Sequence, residues 1–145
     1  MKSRLKSLVL VGIPVLSLGL LVLVSAAQVR HHRVVVDVTG GKPEAWDGAL
    51  NNVENLRKAI GPDIEIEVVG RGGGIGFLEA ADAANKDRMK TLADGGVSFA
   101  ACENTMKKKK IRKEDLLAFV TMVDSGAAEV IRKQEEGWSY LKTAD

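Results

Sequence analysis

Short β-branched runs alternate with helical patterns along most of this chain, and this alternation constrains the fold more than any other feature. The runs typical of strands are Arg33–Val38, Ile64–Val69, Val97–Ala101, Phe119–Val123 and Trp138–Leu141. Strands that alternate with helices indicate a mainly parallel sheet that is covered by helices on both faces. We therefore predict a five-stranded α/β domain.

The helical segments have recognisable starts and stops. Pro43 opens the first helix, which carries apolar residues at helical spacing as far as Ile60 and ends at Gly61. The second is predicted over Phe77–Ala93, with a break near Asn85. Asn104 or Thr105 is predicted to cap a short third helix that ends in lysines. Asp124 or Ser125 is predicted to cap a fourth helix over about Gly126–Glu136. The residues of this fourth helix that should face inward are Ala127, Val130 and Ile131.

The first 27 residues have the layout of an export signal. A basic leader precedes the almost unbroken apolar run Leu8–Val24, and the small residues Ser25, Ala26 and Ala27 suit a signal peptidase. The alternative is a retained membrane anchor, although the run is short for a spanning helix. We predict a signal peptide or anchor over 1–27, a linker over 28–32 and one domain over 33–145. That domain would be periplasmic or anchored facing outside the cytoplasm.

Charge and histidine content exclude several classes of function. The formal net charge of the chain is +2, but the basic leader supplies more than this, so the domain itself is close to neutral. A nearly neutral domain is not expected to bind nucleic acid. The two histidines, His31 and His32, lie in the linker without other metal ligands at suitable spacing, so we expect no metal and no cofactor.

Cys102 is the single cysteine, and it directly follows the third predicted strand. Ligands of parallel α/β folds bind at the carboxyl ends of the strands, where this thiol is expected to lie. A helix start and nearby cations both favour the thiolate, which is the reactive form. The plain alternative is a small buried hydrophobic residue. Position alone leaves these two interpretations open.

Two further segments lie near the same edge. The run from Gly70 to Gly76 fits neither G-x-G-x-x-G nor a phosphate-binding loop, but its backbone N–H groups could face an anion, and Gly72, Gly73 and Gly74 are the candidates. A flexible turn or a subunit contact is the simpler interpretation. The basic run Lys107–Lys113 has four alternative interpretations. It is a solvated helix end, or it lowers the pKa of the thiol, docks an acidic partner or contacts an anionic lipid surface.

With these residues in place, the chain resembles the DsrE/DsrF-like family of sulfur-relay proteins from about Arg33 to Lys142. The resemblance rests on Gly96–Met106 (GVSFAACENTM), on the glycine-rich loop, on the helix over Trp46–Leu56 and on Glu136–Leu141 (EGWSYL). It implies a five-stranded, three-layer α/β domain that forms homo-oligomers, often trimers or hexamers.

The resemblance also implies a role for one residue. In sulfur-transferring relatives the cysteine after the third strand carries a persulfide, and Cys102 occupies that position. We therefore expect a thiol-based sulfur carrier that exchanges sulfur with a donor or acceptor protein, with Asn104, Thr105, Lys107 and Lys108 stabilising the anion. The alternative is a non-catalytic oligomeric binding module with a structural cysteine. Contact with a membrane is expected only through the N-terminal segment.

Overall fold

The computed structural model describes residues 31–81 and 85–143, and the predicted N-terminal signal or anchor lies outside them. The strands are β1 (Arg33–Val38), β2 (Glu65–Gly70), β3 (Ser98–Cys102), β4 (Thr121–Val123) and β5 (Ser139–Lys142). The α-helices are α1 (Pro43–Ile60), α2 (Lys86–Asp94), α3 (Glu103–Lys109) and α4 (Gly126–Glu135), and 3₁₀ helices span Gly72–Leu78 and Lys113–Asp115. No helix within the described ranges is both long and apolar enough to cross a membrane.

The five strands form one sheet in which every neighbouring pair is parallel, in the order β4-β3-β2-β1-β5. The predicted fold class, a five-stranded parallel sheet between two layers of helices, is confirmed. The chain steps outward from β1 to β4 and then returns to place β5 on the other side of β1. Because parallel crossovers are right-handed, this reversal puts α4 on the face opposite α1.

The two faces of the sheet carry cores of different size. Between the sheet and α1, α2 and α3 lies the main core, which includes Val36, Leu50, Phe77 and Phe99. Under α4 lies a much smaller apolar cluster of Val35, Val69, Ala100 and Val130. The α4 face therefore has room for polar side chains near the sheet, which the main core does not.

The second predicted helix is wrong over its first part. Phe77 and Leu78 belong to the 3₁₀ helix, and α2 begins only after Asn85. The backbone between them pairs with a distant segment: Leu117 N–H donates to the Leu78 carbonyl at 2.9 Å, and Ala80 N–H donates to the Asp115 carbonyl at 2.8 Å. These long-range bonds satisfy polar groups that a continuous helix would satisfy locally.

The ends and faces of the last two helices also differ from expectation. Cys102 itself is the N-cap of α3, so Asn104 and Thr105 lie within its first turn. Ser125 caps α4, as predicted, by accepting the N–H of Ala128. On α4, Val130 is buried as predicted, but Ala127 and Ile131 face solvent, and Ile131 is 55% exposed.

The glycine-rich loop is a packed element, not a flexible turn. Gly74 N–H donates to the Thr39 carbonyl at 3.0 Å, and Arg71 N–H donates to the Val38 carbonyl at 3.1 Å. A Cβ on Gly73 would lie only 2.7 Å from the Gly41 nitrogen. Glycine is required here because the loop backbone lies directly against the backbone that follows β1.

Substitution of Gly74 tests this close packing. In Gly74→Ala the new Cβ would collide with the Val38 carbonyl, so we expect a loss of about 1–3 kcal/mol of unfolding free energy. Gly48→Ala is the matched control: Gly48 lies on helix α1, and a Cβ there meets no other atom within 4 Å. This substitution should raise the unfolding free energy by about 0.5–1 kcal/mol. Urea unfolding of both variants gives the answer, and equal stabilities would contradict the packing.

Candidate functional site

The ends of four strands converge around Cys102 on the α4 face of the sheet. Cys102 ends β3, Asp37 lies near the end of β1, and Arg71 follows β2. Strand β4 ends at Val123, and Gly126 opens α4 three residues later. Parallel strands bring these positions to one edge, where ligands of such folds bind. Cys102 therefore lies at the carboxyl-terminal edge of the sheet, as predicted.

The sulfur of Cys102 lies among hydrogen-bond donors. Burial raises the pKa of the thiol, but the Thr105 hydroxyl and the backbone N–H groups of Gly126, Thr105 and Asn104 act in the opposite direction. The donors outweigh burial, so the pKa of Cys102 is lowered from the ordinary value of a cysteine. Hydrogen bonds to the charged form are the dominant stabilising influence, and they favour thiolate at this position.

Thr105 is oriented by the glycine-rich loop. Gly72 N–H donates to Thr105 Oγ1 at 3.1 Å, which leaves the hydroxyl proton to be donated to the sulfur. Gly72 has a φ of 57°, a left-handed conformation that glycine adopts without cost. The loop therefore contributes to the thiol environment through Thr105.

Gly126 brings the start of α4 against the thiol because it has no side chain. A Cβ at this position would lie 3.0 Å from Cys102 Cβ, 3.1 Å from Arg71 Cβ and 3.2 Å from Val69 Cγ1. These distances are tighter than ordinary van der Waals contact. Only glycine lets the backbone N–H of residue 126 approach the sulfur while Arg71 packs on the other side.

Arg71 is held beside Cys102 by a buried carboxylate. Its Nε and Nη2 donate to the two carboxylate oxygens of Asp37, each at 2.8 Å, and Tyr140 OH donates to Asp37 Oδ2 at 3.1 Å. Asp37 is 1% exposed, whereas the Arg71 side chain is 35% exposed. The hydrogen bonds that Arg71 donates to Asp37 are the main cause of the raised pKa of Arg71, and the charge of Cys102 also raises it. A permanent cation thus borders the thiol and solvent.

The structure brings only some of the predicted site residues to the thiol. Asn104 and Thr105 lie in the first turn of α3, where their backbone N–H groups help to lower the pKa of the Cys102 thiol. Lys107 and Lys108 are exposed on α3, and Lys107 Nζ lies 3.7 Å from the Glu103 carboxylate. Gly72 reaches the site through Thr105, whereas Gly73 and Gly74 pack against the backbone that follows β1.

Sequence reasoning missed Arg71, Asp37, Gly126 and Tyr140. One signal for them was visible: Asp37 is a lone carboxylate in an apolar strand, and a buried carboxylate needs partners. The partner positions were not visible, because Arg71 and Tyr140 are 34 and 103 residues away in the chain.

Access to the sulfur is narrow. Cys102 is 5% exposed, whereas the side chain of Arg71 beside it is half-buried. Within the two described ranges, no group of three metal-binding side chains is present. The arrangement suits nucleophilic chemistry by one thiolate that meets a small or extended reactant at the sheet edge.

Comparisons with known proteins agree with this architecture. The sequence model of the DsrE/DsrF-like family matches residues 33–143. A protein of unknown function from Methanobacterium thermoautotrophicum, MTH1491, has 32% identity and a TM-score of 0.71, and the alignment covers 77% of this chain and 98% of that chain. No curated protein matches.

Two more distant solved structures share the fold. The ychN protein from E. coli has 12% identity and a TM-score of 0.64, with 77% of this chain and 98% of that chain covered. The protein BT1422 from Bacteroides thetaiotaomicron has 11% identity and a TM-score of 0.62, with 76% and 93% covered. At these identities the likeness concerns the fold alone.

Removal of the Thr105 hydroxyl should raise the thiol pKa and slow alkylation of Cys102. A hydrogen bond to a charged group contributes about 1.5 kcal/mol, which corresponds to about a tenfold lower rate at neutral pH. The measurement is the alkylation rate of Thr105→Val against pH. Thr91→Val, whose hydroxyl donates to the Asp87 carbonyl on an exposed helix, is the control and should leave the profile unchanged. Identical profiles for Thr105→Val and wild type would contradict the assignment.

Removal of Arg71 should destabilise the fold, because it leaves the Asp37 carboxylate buried without its cation. We expect Arg71→Met to lose about 3 kcal/mol of unfolding free energy. The double variant Arg71→Met/Asp37→Asn should recover part of this loss, since it also removes the unpaired charge. Chemical unfolding of both variants tests the pair, and a double variant less stable than Arg71→Met would refute it.

Proposed function

Because this chain belongs to the DsrE/DsrF-like family, we propose that it is a sulfur carrier in which Cys102 accepts, holds and passes on a persulfide sulfur. The observation that carries the proposal is the position of Cys102 at the start of α3 and against the start of α4 at Gly126, where the Thr105 hydroxyl and three backbone N–H groups lower the pKa of the thiol and so favour an anion. A persulfide carrier needs an anionic sulfur both to attack the donor and to hold the product.

The proposed reaction is two successive exchanges at sulfur. The Cys102 thiolate attacks the outer sulfur of a persulfide or polysulfide donor, the donor S–S bond breaks, and the donor leaves as a thiolate. Cys102 then carries Cys–S–S⁻. An acceptor thiolate attacks the outer sulfur, a new S–S bond forms on the acceptor, and the Cys102 thiolate leaves. Each exchange conserves electrons, so no oxidant, reductant or cofactor is needed.

The chemistry of the site supports an anionic reactant. Residues 31–81 and 85–143 place no histidine within the site, so a thiolate stabilised by hydrogen bonds takes the place of a base-activated thiol. Arg71 is partly exposed beside Cys102 and adds a permanent positive charge that attracts an anionic donor. Its rigid attachment to Asp37 keeps the guanidinium from swinging away.

We also propose where the carrier works and with what. The leader over residues 1–27 would export it, so that it acts in the periplasm or anchored outside the cytoplasm, and its only contact with the membrane would be through that segment. We propose a homo-oligomer, a trimer or hexamer, as the likeness to the family implies, and the exposed side chains of Ile131 and Tyr140 offer apolar contact area for it. A separate donor or acceptor protein would exchange the sulfur.

A second function is favoured by one observation, the 5% exposure of Cys102. A non-catalytic oligomeric module with a structural cysteine would use the same packing. It differs from the carrier in one measurable respect: its thiol should resist a small alkylating agent in the native state and react only when the protein is unfolded.

Intact-mass measurement after incubation with a polysulfide donor tests the carrier. Wild type should gain the mass of one sulfur atom, which dithiothreitol should remove, whereas Cys102→Ser should gain none. Thr105→Val should load more slowly, and Thr91→Val should load as wild type does. An equal adduct on Cys102→Ser, or no adduct on wild type, would overturn the carrier, and a thiol that is also inert to native-state alkylation would establish the structural alternative.

A further inference from the structure

A surface groove runs along α3 on the face of the sheet opposite α4, and the mechanism above does not use it. The groove has a volume of about 500 Å³. Its lining residues are Glu103, Met106, Lys107, Lys110, Ile111, Arg112 and Met122. We call it the basic groove. One end of it lies at Glu103, the residue that directly follows Cys102, so an occupant reaches the strand end that carries the sulfur from the other face of the sheet.

The basic groove combines an apolar floor with a cationic rim. Met106, Ile111 and Met122 supply the floor, and Met122 is 37% exposed on the edge strand β4. Glu103 and Lys107 of α3 and Lys110, the residue that follows it, recur at spacings of three to four, so one face of the helix lines the groove. Such a mixture fits a partner with both apolar and acidic side chains.

The cations of the groove are unequally neutralised. Arg112 is paired with Asp115 at 2.7 Å, and Lys107 lies 3.7 Å from Glu103. Lys110 makes no ion pair within the part of the chain that the structure describes. Positive charge therefore remains available on the rim, most of all at Lys110.

Lys110 occupies a backbone position that favours glycine. It ends α3 with a φ of 57° and a ψ of 34°, and it is the one non-glycine residue with positive φ among those described. Glycine is the usual residue at such a helix end, because a Cβ is disfavoured there. A lysine in this conformation costs stability, which points to a use for its side chain outside the fold.

We propose that the basic groove docks an acidic segment of the protein that exchanges sulfur with Cys102, with an apolar side chain on the methionine floor and carboxylates at Lys107 and Lys110. The identity of the partner as a sulfur donor or acceptor rests on the proposed function, whereas docking itself does not require the thiol.

The geometry also limits where the reactive group of the partner can lie. A helix of the length of α3 spans roughly 10 Å, so a segment seated along it ends close to Cys102 or about that distance away. An extended chain crosses this distance in about three residues. The partner cysteine should therefore lie within a few residues of its acidic segment.

Binding of a labelled synthetic peptide to the full-length protein tests the docking site. The probe is a short peptide of alternating glutamate and leucine, and its comparison has serine in place of leucine. We measure binding by fluorescence anisotropy in the presence of reductant, so that no persulfide forms and failure of the carrier chemistry does not affect the result. The leucine peptide should bind more tightly, and Cys102→Ser should bind it as wild type does.

Lys110→Gly separates docking from folding. It should melt at the same temperature as wild type or higher, because it relieves the left-handed backbone, yet bind the peptide at least about fivefold more weakly. Met122→Ser should weaken binding as well. Lys58→Gln, which removes an exposed lysine from α1 far along the chain, is the control and should bind as wild type does.

Several outcomes would overturn the docking site. Equal binding of both peptides, or an equal loss in Lys58→Gln, would show diffuse charge attraction without the groove. If Lys110→Gly and Met122→Ser weaken binding to vesicles with anionic lipid but not to the peptide, the occupant is a membrane. If the same variants change the mass in sedimentation, the occupant is a second copy of this chain.

Discussion

The site depends on one buried charge, the carboxylate of Asp37 near the end of β1. A carboxylate that is 1% exposed must be compensated, and Arg71 and Tyr140 do so from the ends of two neighbouring strands. The Asp37 carbonyl also accepts the N–H and the hydroxyl of Thr143, which ties down the chain after β5. Because Arg71 opens the glycine-rich loop, the same pair fixes the loop that orients Thr105. The environment of Cys102 is therefore built outward from a residue that does not touch it.

The sequence predicted the strands to within a residue or two, because β-branched runs bounded by glycine carry a strong local signal. It failed from Phe77 to Ala81, where alanine-rich composition favours a helix but the backbone pairs with Leu116 and Leu117, some 37 residues on. It also predicted Ile131 to face inward, although only Val130 reaches the small core under α4. Helical spacing alone does not tell how much of a helix the sheet covers.

The candidate site was predicted in part for a similar reason. Cys102 was found because it is unique and follows a strand, and Asn104 and Thr105 because they open the helix that comes next. Arg71 and Gly126 act through contacts between strand ends that are distant in sequence, so no local pattern revealed them. The conspicuous lysines drew attention to charge at the thiol, yet the cation beside Cys102 is Arg71, which follows the neighbouring strand β2. Lys107 and Lys110 instead line a groove along α3.

The central claim is that backbone and hydroxyl donors hold Cys102 as an anion more readily than an ordinary cysteine. A direct measurement is the ultraviolet absorbance of the thiolate as a function of pH, taken as the difference between wild type and Cys102→Ser. Unlike reaction rates, this titration does not depend on access to the sulfur. The account predicts a midpoint below that of an ordinary cysteine. A midpoint at or above it would show that burial outweighs the donors, and the thiolate mechanism would then be wrong.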